Sequence, residues 1–324
     1  MVASGSTATM SSGDDGSPNE VARKMRRVKL FLRAGFLDEC NFGGYVTRAT
    51  TTEHLLAAYG LVHEVYVEEG YITAESSGIR LRPFEAIQEM ATFVGVVDGE
   101  VVAVMSIVPD SPELGLPADK AFHPELDALR SAGRSIAEVT NLAIKHEYRK
   151  TSLFFDLIRP CFAQSMNWGC DNVFIAVSPR HESFFKDVLQ FGPWGGQRDY
   201  SDEVTDIVTG MTMDFRTIER AFIETDRQLG KDAFLHQRFF TGNPYYRRCG
   251  EWCGPVARAF GDPDFLRTMF LDAADLRNYC SWTQLEAIKR RWGPKVFDAV
   301  FGENQQASPL AGAQTRSALA PSYI

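Results

Sequence analysis

The chain of 324 residues has no apolar run approaching the roughly 20 residues that a membrane span requires. Its first residues, MVASGSTATMSSGDDGSPNE, lack a basic stretch followed by an apolar one, so no signal peptide is read there. Cysteine is sparse: Cys40, Cys161, Cys170, Cys249, Cys253 and Cys280 are too few for a disulfide scaffold in a chain this long. Basic residues are the minority, 34 Lys and Arg against 42 Asp and Glu, and the net charge of −8 argues against a dominant nucleic-acid role. Nucleotide loops of the GxxxxGK or GxGxxG type are absent. Cys249 and Cys253, with His236 and Cys280 nearby in sequence, lack a second tight pair, so no metal site is expected. What remains is an ordinary globular composition, 44% hydrophobic, expected to be soluble and cytoplasmic.

Residues 1–22 and 305–324 are poor in large apolar side chains and are expected to be disordered tails. Residues 23–41 open with RKMRRVKLFLR, a basic amphipathic arm. It suits a membrane surface, an acidic partner or simple docking on the core. From residue 42 to 215, strands and helices alternate. GGYVTRA reads as a strand, and Thr50 with Glu53 has capping-box spacing before the helix TEHLLAAYGLVHEVYVEEG. TFVGVVDGEVVAVMSIV places two β-branched runs about Asp98-Gly99, a hairpin signal. SIAEVTNLAI is a strand, LFFDLIRPCFAQSMNWG a helix that Thr151 or Ser152 can cap and Pro160 should kink, NVFIAV a buried strand, HESFFKDVLQFG a helix and VTGMTMDF a last strand. Residues 216–304 read as helices punctuated by Gly and Pro, an appended helical subdomain.

A hairpin followed by a βαβ crossover predicts an α/β fold, a mixed sheet flanked by helices. In order and content, FVGVVDGEVVAVMSIV, EVTNLAI, the helix after it and NVFIAVSPRHESFFKDVLQFG resemble the GNAT-type N-acyltransferases. More narrowly, HEVYVEEGYI, RLRPFE, VVDGEVVAVMSIVPDSPELGLP, EVTNLAI, EYRK and SPRH resemble the N-acyl amino acid synthases, relatives of the acylhomoserine-lactone synthases. That resemblance implies transfer of a long acyl chain from acyl carrier protein, with acyl-CoA as a second donor, onto an amino-acid amine. No permanently bound cofactor is implied.

The turn EYRKTSLF lacks the glycines with which coenzyme A acetyltransferases bring backbone N–H groups to a pyrophosphate. Phosphopantetheine on a carrier protein has no pyrophosphate, which fits a carrier donor. Such carriers are acidic, so Lys145, Arg149 and Lys150 are candidate carrier contacts, with Arg23, Lys24, Arg26 and Arg27 a second patch. Aminolysis of a thioester needs a base for the amine proton and donors for the oxyanion. The resemblance implies that the strand EVTNLAI supplies both: Glu138 as base or as the group that orients a water, and backbone N–H groups near Asn141 and Leu142 where the strands splay. Thr140-Asn141-Leu142 stands where the lactone synthases have Ser-Arg-Phe, so the arginine of that motif is missing here.

Phe185 occupies the place of a thiolate-protonating Tyr, and His181, one turn earlier, is a candidate proton relay. Arg80, Arg82 and Arg180 are candidates for the acceptor carboxylate, and Thr140 for substrate contact. Phe93, Val104, Phe154, Phe155 and Phe174 suit either an acyl tunnel or plain core. The rival readings are a lactone synthase and a non-catalytic protein that binds acyl carrier or lipid.

Overall fold

The computed structural model describes residues 18–38, 40–200, 206–230 and 234–302. The expected disorder of the two tails therefore falls largely outside the described residues. Residues 18–22, expected in the N-terminal tail, instead form the first turns of helix α1 (Pro18–Arg33).

Seven strands form one sheet: β1 (Tyr45–Arg48), β2 (Ala91–Val97), β3 (Glu100–Pro109), β4 (Ile136–Ile144), β5 (Asn172–Val177), β6 (Gly192–Asp199) and β7 (Ile207–Asp214). Their order is β1-β2-β3-β4-β5-β7-β6, and the β4–β5 pair is parallel while its neighbours are antiparallel. The expected mixed sheet flanked by helices is thus the observed architecture. Strand β6 was not legible: GPWGGQRD has neither alternation nor β-branched residues. It survives as an edge strand on β7, where Pro193 is tolerated.

Strands β2 and β3 are buried on both faces, which is why they read as unbroken apolar runs. On one face, α1, α4 (Leu153–Asn167), α5 (Pro179–Leu189) and α6 (Phe215–Leu229) enclose the largest core. Gly95 lets α4 approach, since a Cβ there would stand 2.5 Å from Leu153 Cδ1. Helix α4 runs through Pro160 as one helix. On the opposite face lie α2 (Thr52–Glu68), capped by Thr51 rather than Thr50, and α3 (Asp119–Ser131). The C-terminal helices α8 (Pro263–Arg267), α9 (Trp282–Trp292) and α10 (Pro294–Phe301) pack into the α2 core. Helix α7 (Tyr245–Phe260) connects the two sides, Tyr245 entering the α4 core.

The basic arm docks through Val28, which is fully buried. Arg27 pairs with Asp187 at 2.8 Å, and Lys24 donates to Gln190 at 2.7 Å, so much of that patch is engaged with α5 while Arg26 faces outward. No helix among the described residues is long and apolar enough to cross a membrane, and none of them form a His, Cys, Asp and Glu cluster able to hold a metal.

Candidate active site

Strands β4 and β5 pair over three rungs only, Ile136–Asn172, Ala137–Val173 and Glu138–Phe174. Both continue, β4 to Ile144 and β5 to Val177, but they do so apart. Past Glu138, the β4 backbone groups that face β5 have no strand partner. On its other side, β4 carries a bulge: Val104 pairs with Ala143 and Ser106 with Thr140, leaving Asn141 and Leu142 opposite Met105. Asn141 adopts φ +54, the left-handed region that asparagine tolerates better than most residues.

A buried ion pair anchors this bulge. The stretch RLRPFE makes a short 3-10 turn over Pro83–Ala86, with Pro83 at its first position and Glu85 reaching back to the Arg82 N–H at 2.7 Å. Arg82 Nη2 donates to Glu85 Oε1 at 2.8 Å and to Asn141 Oδ1 at 2.8 Å, and Asn141 Nδ2 donates to Glu85 Oε1 at 2.9 Å. Burial opposes the Arg82 charge, but Glu85 more than offsets it and holds the group firmly protonated. Arg82 is therefore committed to Glu85 and Asn141 rather than open to a substrate carboxylate.

Glu138 lies three residues before Asn141 on β4, paired with Val108, and is 1% exposed. Its Oε2 accepts from the Ala118 N–H at 2.8 Å, and the Tyr200 hydroxyl stands 3.5 Å from Oε1. Burial pushes the carboxyl up to about 8, against the pull of the Ala118 N–H and the Arg82 charge. A carboxyl poised there is matched to accepting a proton near neutral pH. The Tyr200 side chain thus lies directly against the Glu138 carboxyl. Tyr66 and Tyr200 are both half-buried, and burial raises both phenols. Arg80 lies over the Tyr66 ring, 5.4 Å from its centroid.

A second group forms the rim. Glu69, at the end of α2, binds Arg149 at 2.9 Å and Arg180 at 3.4 Å, and Arg180 also donates to the Tyr71 hydroxyl at 2.8 Å. Arg149 follows β4 and Arg180 follows β5, so one carboxylate joins the ends of the parted strands. His181 Nε2 accepts from Arg180 Nε at 3.2 Å, and burial together with that charge lowers the imidazole pKa. His181 is placed on the rim, with Glu69 and Arg180, rather than against Glu138. Lys145 pairs with Glu100, while Lys150 is exposed. Thr140 is half-buried opposite Ser106.

Phe185 is buried in an aromatic wall with Phe154, Phe184 and Phe191. Half-buried Leu142, Phe154, Val177 and Phe184 all pack against that same core. Of the residues considered for a tunnel, Phe93 and Phe155 belong to the α4 core, Val104 to the α2 core and Phe174 to the α3 core. Strand alternation puts them on both faces of the sheet, so they do not line one channel. Glu85, Tyr66, Glu69 and Tyr200 were missed. Only Glu85 had a signal, the three-residue spacing from Arg82.

Helix α4 begins differently from an anion cradle. The Ser152 N–H donates to Asn41 Oδ1 at 2.6 Å, and the Asn41 N–H donates to Ser152 Oγ at 3.0 Å. Ser152 Oγ in turn donates to Asp156 at 2.6 Å. A residue of the N-terminal arm thus occupies that helix start.

The strand order, the parting of β4 from β5 and the bulge beside it define a GNAT-type acyltransferase fold. Residues 57–214 match the family model of FeeM, described as an N-acyl amino acid synthase. The resemblance read from the sequence is thereby found again over that segment, which is just under half of the chain. No curated protein matches it. Among solved structures, FeeM from uncultured soil microbes, an N-acyl amino acid synthase, is 23% identical; the alignment covers 55% of this chain and 93% of that one, with a TM-score of 0.49. A GNAT-family acetyltransferase from Streptococcus pneumoniae is 13% identical over 53% of this chain and 98% of that one, TM-score 0.38. BjaI, a coenzyme A-dependent acyl-homoserine lactone synthase solved with MTA, is 13% identical over 56% of this chain and 88% of that one, TM-score 0.39.

Proposed function

We propose that the protein transfers a long acyl chain from acyl carrier protein to the amine of an amino acid. The observation that carries this reading is the parting of β4 from β5 directly above Glu138, beside the Asn141–Leu142 bulge. The acyl thioester lies in the gap, with its carbonyl oxygen toward the bulge N–H groups and its chain along Leu142, Phe154, Val177 and Phe184. The amine nitrogen attacks the carbonyl carbon, and its proton passes across the Tyr200 hydroxyl to Glu138. That 3.5 Å contact tightens only when substrate is bound. The tetrahedral intermediate then collapses, the C–S bond breaks and the departing thiolate takes up the proton that Glu138 received from the amine, which restores the carboxylate. Amide and free thiol are the products, and no enzyme-bound acyl group forms.

Asn41 favours the carrier as donor. It satisfies the N–H at the start of α4 with a neutral carboxamide, where a pyrophosphate would otherwise find donors. Exposed Lys150 follows Arg149 in the chain beyond the end of β4 and suits an acidic partner, while Arg149 and Arg180 are engaged with Glu69. The test is incubation with acyl carrier protein loaded with a long-chain acyl group, or the matching acyl-CoA, and the twenty amino acids, followed by mass spectrometry. N-acyl amino acids with faster turnover of the carrier thioester support the reading. Lactones formed from adenosylmethionine, or binding of carrier without any product, contradict it.

A further inference from the structure

Three arginines were candidates for a substrate carboxylate, and two are committed within the protein. Arg82 serves Glu85 and Asn141. Arg180 serves Glu69 and Tyr71. Arg80 is different. Its main-chain N–H donates to the Tyr59 carbonyl at 3.2 Å, which fixes the backbone. Its guanidinium lies half-buried over Tyr66, and Nε is buried with no hydrogen-bond partner. Among the described residues, no carboxylate makes an ion pair with it. A buried guanidinium N–H left without an acceptor costs free energy that a planar anion can recover through paired N–H···O bonds.

The neighbourhood says which anion fits. Arg80 lies over the Tyr66 ring and the Tyr200 hydroxyl stands 3.5 Å from Glu138, and each phenol interacts electrostatically with both charged groups, so the cation and the carboxyl are neighbours of the same two phenols. An α-amino acid carries its carboxylate on the carbon that bears the amine. With the carboxylate on Arg80, the amine projects toward Tyr200 and Glu138. We propose that Arg80 binds the α-carboxylate of the acceptor, so that the enzyme selects free amino acids over their carboxamides and over simple amines. This rests on the acyl-transfer reading above.

The experiment compares kcat/KM for each accepted amino acid and for its carboxamide, with one acyl carrier donor, in wild type and in Arg80→Met. Met keeps the apolar stem and removes the charge. Wild type is expected to prefer the acid about a hundredfold, the scale of a lost buried charge-assisted contact. In Arg80→Met that ratio falls to within about threefold, through the acid's KM and with donor KM unchanged. If Arg80→Met does not fold, Arg80→Lys reads the same ratio, which should drop about tenfold because a point charge replaces a fork. A ratio unchanged in the folded variant overturns the assignment. So does a wild type that acylates acids and carboxamides alike, which leaves the transfer reading standing. A wild type that acylates neither overturns the transfer reading itself.

Discussion

Asn141 and Glu85 lie 56 residues apart in the chain, and a buried hydrogen bond of 2.9 Å from Asn141 Nδ2 to Glu85 Oε1 joins them. The bond ties the left-handed residue of the β4 bulge to the loop that carries the site arginines. Asn141→Ala would strain the backbone and take one donor from a buried carboxylate. Together these should cost about 2–4 kcal/mol of stability. Asn141→Gly relieves the backbone and should cost less. Urea unfolding of the two variants checks the order, and an Ala variant as stable as Gly would contradict the strained bulge.

On the proposed reading, Glu138 sets the pH dependence. Its carboxyl is raised by burial from 4.5 to about 8 in the fold. Its contribution to stability is therefore fully present below about pH 4.5 and is lost as pH rises through about 8. Glu138→Gln keeps an acceptor for the Ala118 N–H and cannot ionise. Its Tm relative to wild type should rise between pH 5 and pH 9, an interval chosen to bracket that window. Its kcat should fall about a hundredfold or more at neutral pH and lose the ascending limb that wild type shows near the carboxyl's titration. Scanning calorimetry and pH-rate profiles test the two halves separately.

Asn41 closes the start of α4. Asn41→Ala should cost about 1 kcal/mol, as other helix-capping losses do, and free the Ser152 N–H. The ratio of carrier to acyl-CoA turnover should then narrow, through a lower KM for acyl-CoA. An unchanged ratio would remove Asn41 from donor choice.

The helices beyond the matched segment have a physical task. Trp292 on α9 donates to the Ala86 carbonyl at 2.7 Å, and Tyr279 hydrogen-bonds Glu75, so both hold the loop that bears Arg80, Arg82 and Glu85. Trp292→Phe keeps most of the packing and removes that donor. It should cost about 1–2 kcal/mol, raise KM for the amino acid severalfold and leave donor KM alone. Equal changes in both KM values would indicate general loosening instead.

Much of this was legible in the sequence for identifiable reasons. Asp98-Gly99 announced the β2–β3 hairpin, and EVTNLAI announced β4 with its single buried acid. The rest depended on tertiary placement. Edge strand β6 has no periodic signal, because pairing with β7 rather than propensity holds it. Which arginine is uncommitted could not be read from RLRPFE, since Asn141, which helps fix Arg82, comes from another strand. Tyr200 sits in a polar stretch with nothing to mark it as a contact of Glu138. The aromatic residues alternate across a sheet buried on both faces, so apolar character alone could not separate channel wall from core.

The most direct measurement is a crystal structure with a non-hydrolysable acyl-pantetheine analogue. The account predicts its sulfur between β4 and β5 beyond the Glu138–Phe174 rung, and its carbonyl oxygen within hydrogen-bond distance of the Asn141 or Leu142 N–H. An analogue bound elsewhere, with the gap between the two strands filled by side chains, would contradict it.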